Sequence, residues 1–552
     1  MRWGVLLAVG VSVAFVAPDA SGQDPTDITN GFLRTVCDLQ WVEGVCEASG
    51  YPEPQYASSD DPSPGQPLAL RVGAIHNHSG YSDNDFPDTR PADYYRAAKE
   101  GHNTADAGGD TGIILDYLLG SDHSENEKLP ITTAASCIDP SGIPDALEAL
   151  DLEGVLVPLQ CNNIDQPDSY RKWNETLAQA IEATDVSTDG AYTGFTAMRG
   201  FEWTNDYYNH MGVYFSRNVV NAKIDGSYLS MELMWNWLRE PVERGGGSDA
   251  LVVFNHPGGW PALTPFDGDL PHNQLLNDTL GGANWNDLAY VPDLDERVVG
   301  IEVNGGDDLS WYVKALGNGW HVGPIAAEDE HQLEWSTSED GKTLMLTRGR
   351  SPRDYYFAFQ HHRTVSIGRD LVDGEPGAKA VVPSVLFYAD GTDVQDPAAT
   401  LLGGTITAGG AHTLHLDAAG LPAGSPAVLV DRGGGTPLPL GTAGGDGSLT
   451  AAAEVANPTT GEDWWFAVVC PPGTTDCGIG EDYSAVTAPI WAQGASPATP
   501  AAPSAPTEPE VGGRGTGRLP ATGSPAGAWP AAAALGAALV TVALRRRLRA
   551  DG

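Results

Sequence analysis

Basic residues are scarce in this chain of 552 residues. There are 30 Lys and Arg against 73 Asp and Glu, which gives a formal net charge of −43 at pH 7. Binding of nucleic acid depends on Lys and Arg that neutralise phosphates, so this balance argues against a nuclease or a nucleic-acid binder. A small phosphorylated substrate is still compatible with it. We interpret the acidity as the soluble surface of an extracellular protein.

Cysteine is also scarce, and the six cysteines include no C-x-x-C pair, so we assign none of them to metal. An even count in an exported chain favours disulfides. A Ser-His-Asp motif and a Gly-rich phosphate loop are lacking too, which argues against a covalent-nucleophile enzyme and a nucleotide-driven motor. The cysteines that lie close in sequence are expected to pair, Cys37 with Cys46, Cys137 with Cys161, and Cys470 with Cys477.

The two ends of the chain carry features of export and anchoring. Residues 1–22 combine Arg2, an apolar core over Val5–Val16 and small residues suited to cleavage, which predicts a secretory signal peptide. Residues 493–518 are rich in Ala, Pro, Ser and Thr and predict an extended linker. Residues 525–544 are apolar and long enough to span a bilayer, and the arginines within 545–552 mark the cytoplasmic end.

The pentapeptide LPATG, residues 519–523, lies between the linker and the apolar segment. The order of pentapeptide, apolar segment and basic tail resembles the LPXTG-type sorting signal of Gram-positive-type bacteria. This resemblance implies a secreted protein that a sortase attaches to the cell wall, with the transmembrane segment holding it in the membrane before processing. A plain C-terminal membrane anchor is the alternative.

The stretch VGAIHNHSGYSD predicts a buried strand that ends in two histidines. Val72–Ile75 is apolar, and His76 and His78 follow at positions i and i+2. Side chains at this spacing point to the same face of a strand, so one metal ion can take both. Asp83 supplies a carboxylate a few residues later.

The same pattern, an apolar strand followed by a residue that can bind metal, recurs along the chain. About six strands alternate with helical segments, which predicts an α/β fold of parallel β/α units. Metal ligands at successive strand ends are typical of the carboxyl-terminal rim of a β/α barrel. The further strands are expected at Ile113–Gly120 before His123, Phe195–Phe201 before Glu202, the segment starting at His210, Leu251–Asn255 before His256, Val298–Val303 with Glu302, and Gly319–Ala327 before Asp329 and His331. The helices are expected at Pro91–Glu100, Asp145–Glu153, Tyr170–Thr184 and Tyr228–Arg239.

Composition also indicates the domain boundaries. We expect an N-terminal extension over 23–65, a main α/β domain over 66–375 and a small β-sandwich-like domain over 376–492. The last region is rich in Gly and Thr with short Val and Leu strands, as sandwiches are. His412 and His415 lie there on an alternating strand, where we expect core or surface roles without acidic partners.

Several segments resemble the motifs of the PHP superfamily, named for polymerase and histidinol phosphatase domains. They are IHNHSGYSD, LLGSDH, RGFEWT with HMGVYF, FNHP, GIEVN and AEDEHQ, in the family's order. SPRDYYFAFQHHRTV resembles the family's closing helix, and residues 380–492 resemble the small β domain of secreted members. The resemblance implies a distorted (β/α)7 barrel over 66–375 with two or three Zn, Mn or Fe ions.

The resemblance also implies a ligand set. The first metal would be held by His76, His78, Glu202 and Asp329, and Glu202 would bridge to a second metal held by His210 and His256. The third would be held by His123 and His331, with Asp83 as a candidate further ligand. Some members carry a histidine near Asn84 that this chain lacks, so the resemblance leaves open whether the third site is filled. Glu202, Asp329 and His331 are the expected catalytic residues. Glu302, Asn304 and Asp122 are expected to support ligands or to pack.

The chemistry of these residues agrees with the resemblance. Imidazoles and carboxylates suit Zn, Mn and Fe, whereas calcium takes oxygen ligands alone. Two close ions lower the pKa of a bridging water and neutralise charge on a phosphoryl oxygen. We therefore expect an extracellular phosphoesterase that uses metal-bound hydroxide on a small phosphorylated substrate, to which Arg90 or Arg199 could contribute. Alternatives are hydrolysis of an ester, carbamate or amide, and a non-catalytic surface adhesin.

Overall fold

The computed structural model describes most of the chain between residues 60 and 494. The predicted signal peptide, linker, sorting motif, apolar segment and basic tail lie outside the described residues, as do residues 23–59, the helix expected at 145–153 and the side chains of the first two cysteine pairs. Within the described part, no helix is both long and apolar enough to cross a membrane. The described ranges are 60–103, 112–124, 132–133, 161–162, 167–258 apart from 189, 206–207, 225–226, 229 and 243–245, and 283–494 apart from 407–409, 434–435 and 481.

The described α-helices are α1 (Pro91–Glu100), α2 (Pro167–Ala183), α3 (Met231–Arg239), α4 (Gly306–Asn318) and α5 (Pro352–Gln360). Helix α1 begins with proline and ends at Gly101, whose φ of 69° is the left-handed conformation that favours glycine. Ser351 and Asp354 form a capping box at the start of α5. Shorter turns are Ala283–Leu288, which is left-handed, and the 3-10 turns Pro292–Leu294 and Arg369–Leu371.

The strands of the first half of the chain are β1 (Ala69–Ile75), β2 (Tyr117–Leu119), β3 (Thr132–Thr133), β4 (Cys161–Asn162), β5 (Thr196–Met198), β6 (Gly200–Trp203), β7 (Met211–Tyr214), β8 (Lys223–Ile224), β9 (Ser227–Tyr228), β10 (Leu251–Phe254), β11 (Val298–Glu302), β12 (Gly323–Ile325), β13 (Lys342–Thr347) and β14 (Thr364–Ile367). The C-terminal strands are β15 (Ser384–Ala389), β16 (Thr400–Leu401), β17 (Thr405–Ile406), β18 (Ala411–Ala419), β19 (Pro426–Asp431), β20 (Leu438–Thr442), β21 (Leu449–Ala456), β22 (Glu462–Val469), β23 (Ala485–Thr487) and β24 (Ile490–Gln493).

The fold is mixed α/β, with two groups of parallel strands. Strands β1, β2 and β5 pair in parallel, and so do β10, β11 and β12. The expectation of parallel pairing is wrong at β7, which is antiparallel to both β6 and β10. The reason is the connection between β6 and β7, residues 204–210, which is too short for a parallel crossover.

Two single backbone bridges join the group of β1, β2 and β5 to the sheet β12-β11-β10-β7-β6. His123, after β2, pairs with Glu202 of β6, and Asn77, after β1, pairs with Glu330, after β12. The ends of strands from both sheets therefore meet in one place. A closed (β/α)7 barrel stays a prediction, because the regular ladder continues from β1 to β13 and β14 on the other edge.

The C-terminal strands form two layers that pack together through apolar residues such as Leu416 and Leu429. One layer is the sheet β16-β15-β18-β21, and the other contains β17, β24, β22, β23, β19 and β20. Strand β23 pairs with β14, so the second layer continues the sheet that contains β1. The regions expected as separate domains thus share a sheet. Cys470 and Cys477 form a disulfide, as predicted.

Candidate metal centre

All nine residues assigned to metal binding from the sequence lie close together in the structure. They form four overlapping groups, within each of which the ligand atoms lie within 4.8 Å of one another. That they bind metal stays a prediction, but the fold brings them to one place from separate strand ends. The groups are His78, Asp83, His123 and His331; His76, His78 and Glu202; His76, His256 and Asp329; and Glu202, His210 and His256.

Three of these residues have a backbone conformation that is unusual for an L-amino acid. The φ angle is 70° at His76, 32° at His256 and 48° at Asp329, in the segments that follow β1, β10 and β12. Conformations of this kind cost about 1–3 kcal/mol each and persist where the surrounding structure fixes them, as at many functional sites. The backbone at these three positions is therefore consistent with a functional site.

Glu202 lies at the centre of the cluster, and its side chain is 1% exposed. Its Oε1 lies 3.0 Å from Nε2 of His76, 3.3 Å from Nδ1 of His210 and 3.4 Å from Nε2 of His256. Asn255 donates a hydrogen bond of 2.8 Å to the same oxygen. Ring nitrogens from three strand ends thus converge on one carboxylate, which suits a group shared between two cations.

Asp83 forms a second set of close contacts, with two histidines. Its Oδ1 lies 3.1 Å from Nε2 of His123 and 3.3 Å from Nε2 of His331. His78 stacks on His331 with 4.0 Å between ring centroids and completes this group, which we call the Asp83 group. The sequence assignment placed His78 with the first metal alone, whereas the geometry puts it within reach of both.

Asp329 contacts residues of both sets, the one around Glu202 and the Asp83 group. Its Oδ1 lies 3.1 Å from Nε2 of His76 and 3.2 Å from Nε2 of His78. The side chains of Asp329, His331 and Asp83 are 41%, 32% and 31% exposed, whereas those of His76 and His78 are fully buried. The cluster is therefore closed on the His76 side and open to solvent on the side of Asp83 and Asp329.

The donor atoms fit transition-metal ions. Ligands about 2.0–2.1 Å from a tetrahedral zinc lie about 3.3 Å from one another, which matches the separations around Glu202 and Asp83. Nδ1 of His78 and Oε2 of Glu202 are buried without a hydrogen-bond partner among the described residues. Unsatisfied buried polar atoms are costly, and a bound cation would satisfy them. The nitrogen and oxygen donors suit Zn, Mn or Fe.

The pKa values of several candidate ligands fit metal binding. The rings of His76 and His331 must lose a proton when they bind metal, because carboxylates such as Asp329 and Asp83 outweigh burial and raise the pKa of His76 well above its usual value and that of His331 to about 9. Burial and the neighbouring His123 lower the pKa of His78 to about 3, so its ring is neutral at neutral pH. Burial raises the pKa of Glu202, but His76 and His210 outweigh it and hold the pKa well below its usual value. For Asp83, hydrogen bonds from His123 and His331 outweigh burial in the same way and lower the pKa. Neutral imidazole and ionised carboxylate are the forms that bind metal.

Buried neighbours fix the rings of the candidate ligands. Oε1 of Glu302 lies 2.6 Å from Nδ1 of His76, and Oγ1 of Thr204 lies 2.5 Å from Nδ1 of His123. Such contacts select the ring tautomer and leave the other nitrogen for a metal. Asn304 accepts a 2.8 Å hydrogen bond from the backbone of Ala327 and so ties the end of β11 to that of β12.

Asp122 acts on the loop that carries Asp83. Its Oδ1 accepts hydrogen bonds from the backbone and hydroxyl of Ser79 and from the hydroxyl of Ser82. This geometry agrees with the supporting role expected for Asp122. Thr204 and Asn255 were not predicted from the sequence, although each lies within two positions of a candidate ligand at a strand end, and that proximity was the available signal.

The two arginines considered for phosphate binding have other contacts. Arg199 is buried, donates to the carbonyl oxygens of Trp173 and Ser216, and lies over the ring of Trp173. Arg90 is exposed and pairs with Glu175 at 3.7 Å. Arg199 therefore stabilises the fold, and Arg90 forms a surface salt bridge.

No protein-family model and no curated protein matches the chain. Among solved structures, it is similar to a two-domain protein of Bacteroides vulgatus containing a predicted PHP-like metal-dependent phosphoesterase, with 14% identity, a TM-score of 0.32, and coverage of 77% of this chain and 97% of that one. It is also similar to PsfC of Pseudomonas syringae, with 17% identity, a TM-score of 0.24, and coverage of 52% of this chain and 85% of that one. Both TM-scores are low, so the function is argued below from this chain's own residues.

Proposed function

We propose that the chain is a metal-dependent hydrolase of the PHP type, and that its reaction is the hydrolysis of a phosphoester. The observation that supports this most strongly is the single oxygen of Glu202 faced by ring nitrogens of His76, His210 and His256. A carboxylate in this position would hold cations close together. Bound ions would supply a nucleophile from water and neutralise charge on a phosphoryl group.

The residues of the cluster differ in solvent exposure, and we assign their roles accordingly. The side chains of His76, His78 and Glu202 are buried and form the solvent-excluded centre of the cluster. The half-exposed side chains of Asp83, Asp329 and His331 face the open side, where a substrate approaches. We therefore assign to Asp329 and His331 the contacts with the reacting group, and to Glu202 the binding of the cations beneath it.

The location of the protein is part of the proposal. The predicted signal peptide, the LPATG pentapeptide, the apolar segment and the arginine-rich tail support an extracellular enzyme that a sortase attaches to the cell wall, with the membrane as a transient anchor. The excess of acidic residues supports a small phosphorylated or ester substrate rather than nucleic acid.

A substrate panel on the metal-loaded protein tests the reaction. We expect turnover of aryl phosphates that is abolished by a chelator and restored by Zn, Mn or Fe, with little turnover of aryl esters, carbamates or amides. Preferential turnover of the carbon esters would replace phosphoester hydrolysis by the alternative reaction. A protein that binds metal but turns over no member of the panel would favour a non-catalytic role.

A further inference from the structure

Glu302, the last residue of β11, is a buried carboxylate that uses both of its oxygens. Its side chain is 1% exposed. Oε1 lies 2.6 Å from Nδ1 of His76, and Oε2 accepts a 2.5 Å hydrogen bond from the backbone nitrogen of His256. None of the four groups that the described residues form includes Glu302, so it touches candidate ligands without being one of them.

The two residues that Glu302 contacts belong to different groups around Glu202. His76 groups with His78 and Glu202, and His256 groups with Glu202 and His210, while the group of His76, His256 and Asp329 contains both. We propose that Glu302 is a positioning residue that couples these two metal groups, so that filling one prepares the other. The proposal rests on the proposed function, because it requires that both groups bind metal.

The hydrogen-bond chemistry requires a carboxylate in this position. Nε2 of His76 faces Glu202 and Asp329, so it is the nitrogen available to a metal, and Nδ1 then carries the proton that it donates to Glu302. The backbone of His256 presents a second N–H donor. An ionised carboxylate offers two acceptors to these two donors, whereas a glutamine amide offers one acceptor and one donor.

Coupling follows from this shared acceptor. A cation held by Nε2 of His76 fixes the ring, and the fixed ring holds the Glu302 carboxylate through Nδ1. The carboxylate in turn holds the backbone of His256, whose φ of 32° needs such support. The ligands of the second group are therefore already ordered when the second ion binds. The affinity for that ion rises because less conformational entropy is lost on binding.

The variant Glu302→Gln tests the coupling in the full chain, with Co²⁺ as the probe. Metal-stripped protein is titrated while visible absorption and bound metal are measured. We expect the wild type to take up two ions in one cooperative step and Glu302→Gln to fill in two separate steps, the weaker site losing about 10-fold to 100-fold in affinity. Asp249→Asn is the matched control, because Asp249 is a buried carboxylate that accepts from the backbone of Arg217.

The outcomes separate the coupling from the function on which it rests. A wild type that binds fewer than two ions overturns the proposed function and the coupling with it. Two ions in the wild type and the same single step in Glu302→Gln overturn the coupling alone. Should the variant not fold, nitrogen NMR of zinc-loaded wild type decides: we expect His76 with a proton on Nδ1, and a bare Nδ1 would overturn the proposal.

Discussion

Nε2 of His76 lies 3.0 Å from Oε1 of Glu202, and this contact joins the two parts of the fold that carry the cluster. His76 follows β1 of the large sheet, whereas Glu202 belongs to β6 of the five-stranded sheet. Both side chains are almost fully buried. An imidazole and a carboxylate from separate sheets are thus held at ligand distance in the interior, where neither is needed to fill an apolar core.

The first prediction concerns the charge of Glu202. Glu202→Gln keeps the side-chain volume but removes the charge that holds cations together, so we expect loss of bound metal and a fall in turnover of about a hundredfold or more. Elemental analysis and the aryl phosphate assay measure the two effects. Glu296→Gln, an exposed glutamate before β11, is the control and should retain both properties. Unchanged metal content in Glu202→Gln would contradict the assignment of the shared ligand.

The strand ends that carry the candidate site could be predicted because their signals are local. An apolar run followed by a histidine or a carboxylate is visible at β1, β10 and β12 within a few residues of sequence. Contacts across long separations were not visible. The expectation that His412 has no acidic partner is wrong, since Oδ2 of Asp390, the residue after the neighbouring strand β15, lies 2.8 Å from its Nδ1. The dual contact of Glu302 with His76 and His256 likewise depends on how β1, β10 and β11 come together.

A charged contact between the region expected as the main α/β domain and the region expected as the β-sandwich-like domain leads to a prediction about stability. Nδ1 of His321 lies 2.6 Å from Asp295, and its Nε2 lies 3.0 Å from Glu462 of β22. Burial lowers the pKa of His321, but the two carboxylates outweigh it and raise the pKa to about 9. Since the folded value exceeds the unfolded value, this stabilisation is complete below about pH 6.5 and is lost as the pH rises through 9.

Substitution of His321 measures this effect. With metal removed, His321→Gln should lower the free energy of unfolding by about 1–3 kcal/mol near pH 6, and the difference should shrink by pH 10. Denaturant titrations at several pH values give these free energies. Glu462→Gln removes one of the two partners and should show a weaker form of the same pH dependence. A deficit in His321→Gln that does not vary with pH would show that packing against Trp491 is the main contribution.

The predicted sorting signal has a consequence at the cell surface. We expect cleavage between Thr522 and Gly523, so that enzymatic digestion of the wall releases a protein whose C-terminal peptide ends at Thr522. Mass spectrometry of that peptide provides the measurement. If detergent alone releases the full-length chain with the arginines of 545–552 still attached, the plain membrane anchor is correct instead.

The last prediction concerns the Asp83 group. Oδ1 of Asp83 lies 3.1 Å from Nε2 of His123 and 3.3 Å from Nε2 of His331, and Asp83 is the carboxylate of this group. Asp83→Asn should therefore weaken the binding of one ion selectively and leave the binding of the ions around Glu202 unchanged. We expect one ion fewer per chain than in the wild type by elemental analysis, with turnover reduced about tenfold or more. Asp85→Asn is the matched control, since Asp85 is an exposed aspartate of the same loop whose backbone, not its side chain, contacts His331. Equal metal content in Asp83→Asn and Asp85→Asn would show that Asp83 is not a ligand, whereas loss of all metal from Asp83→Asn would show that the ions do not bind at separable sites.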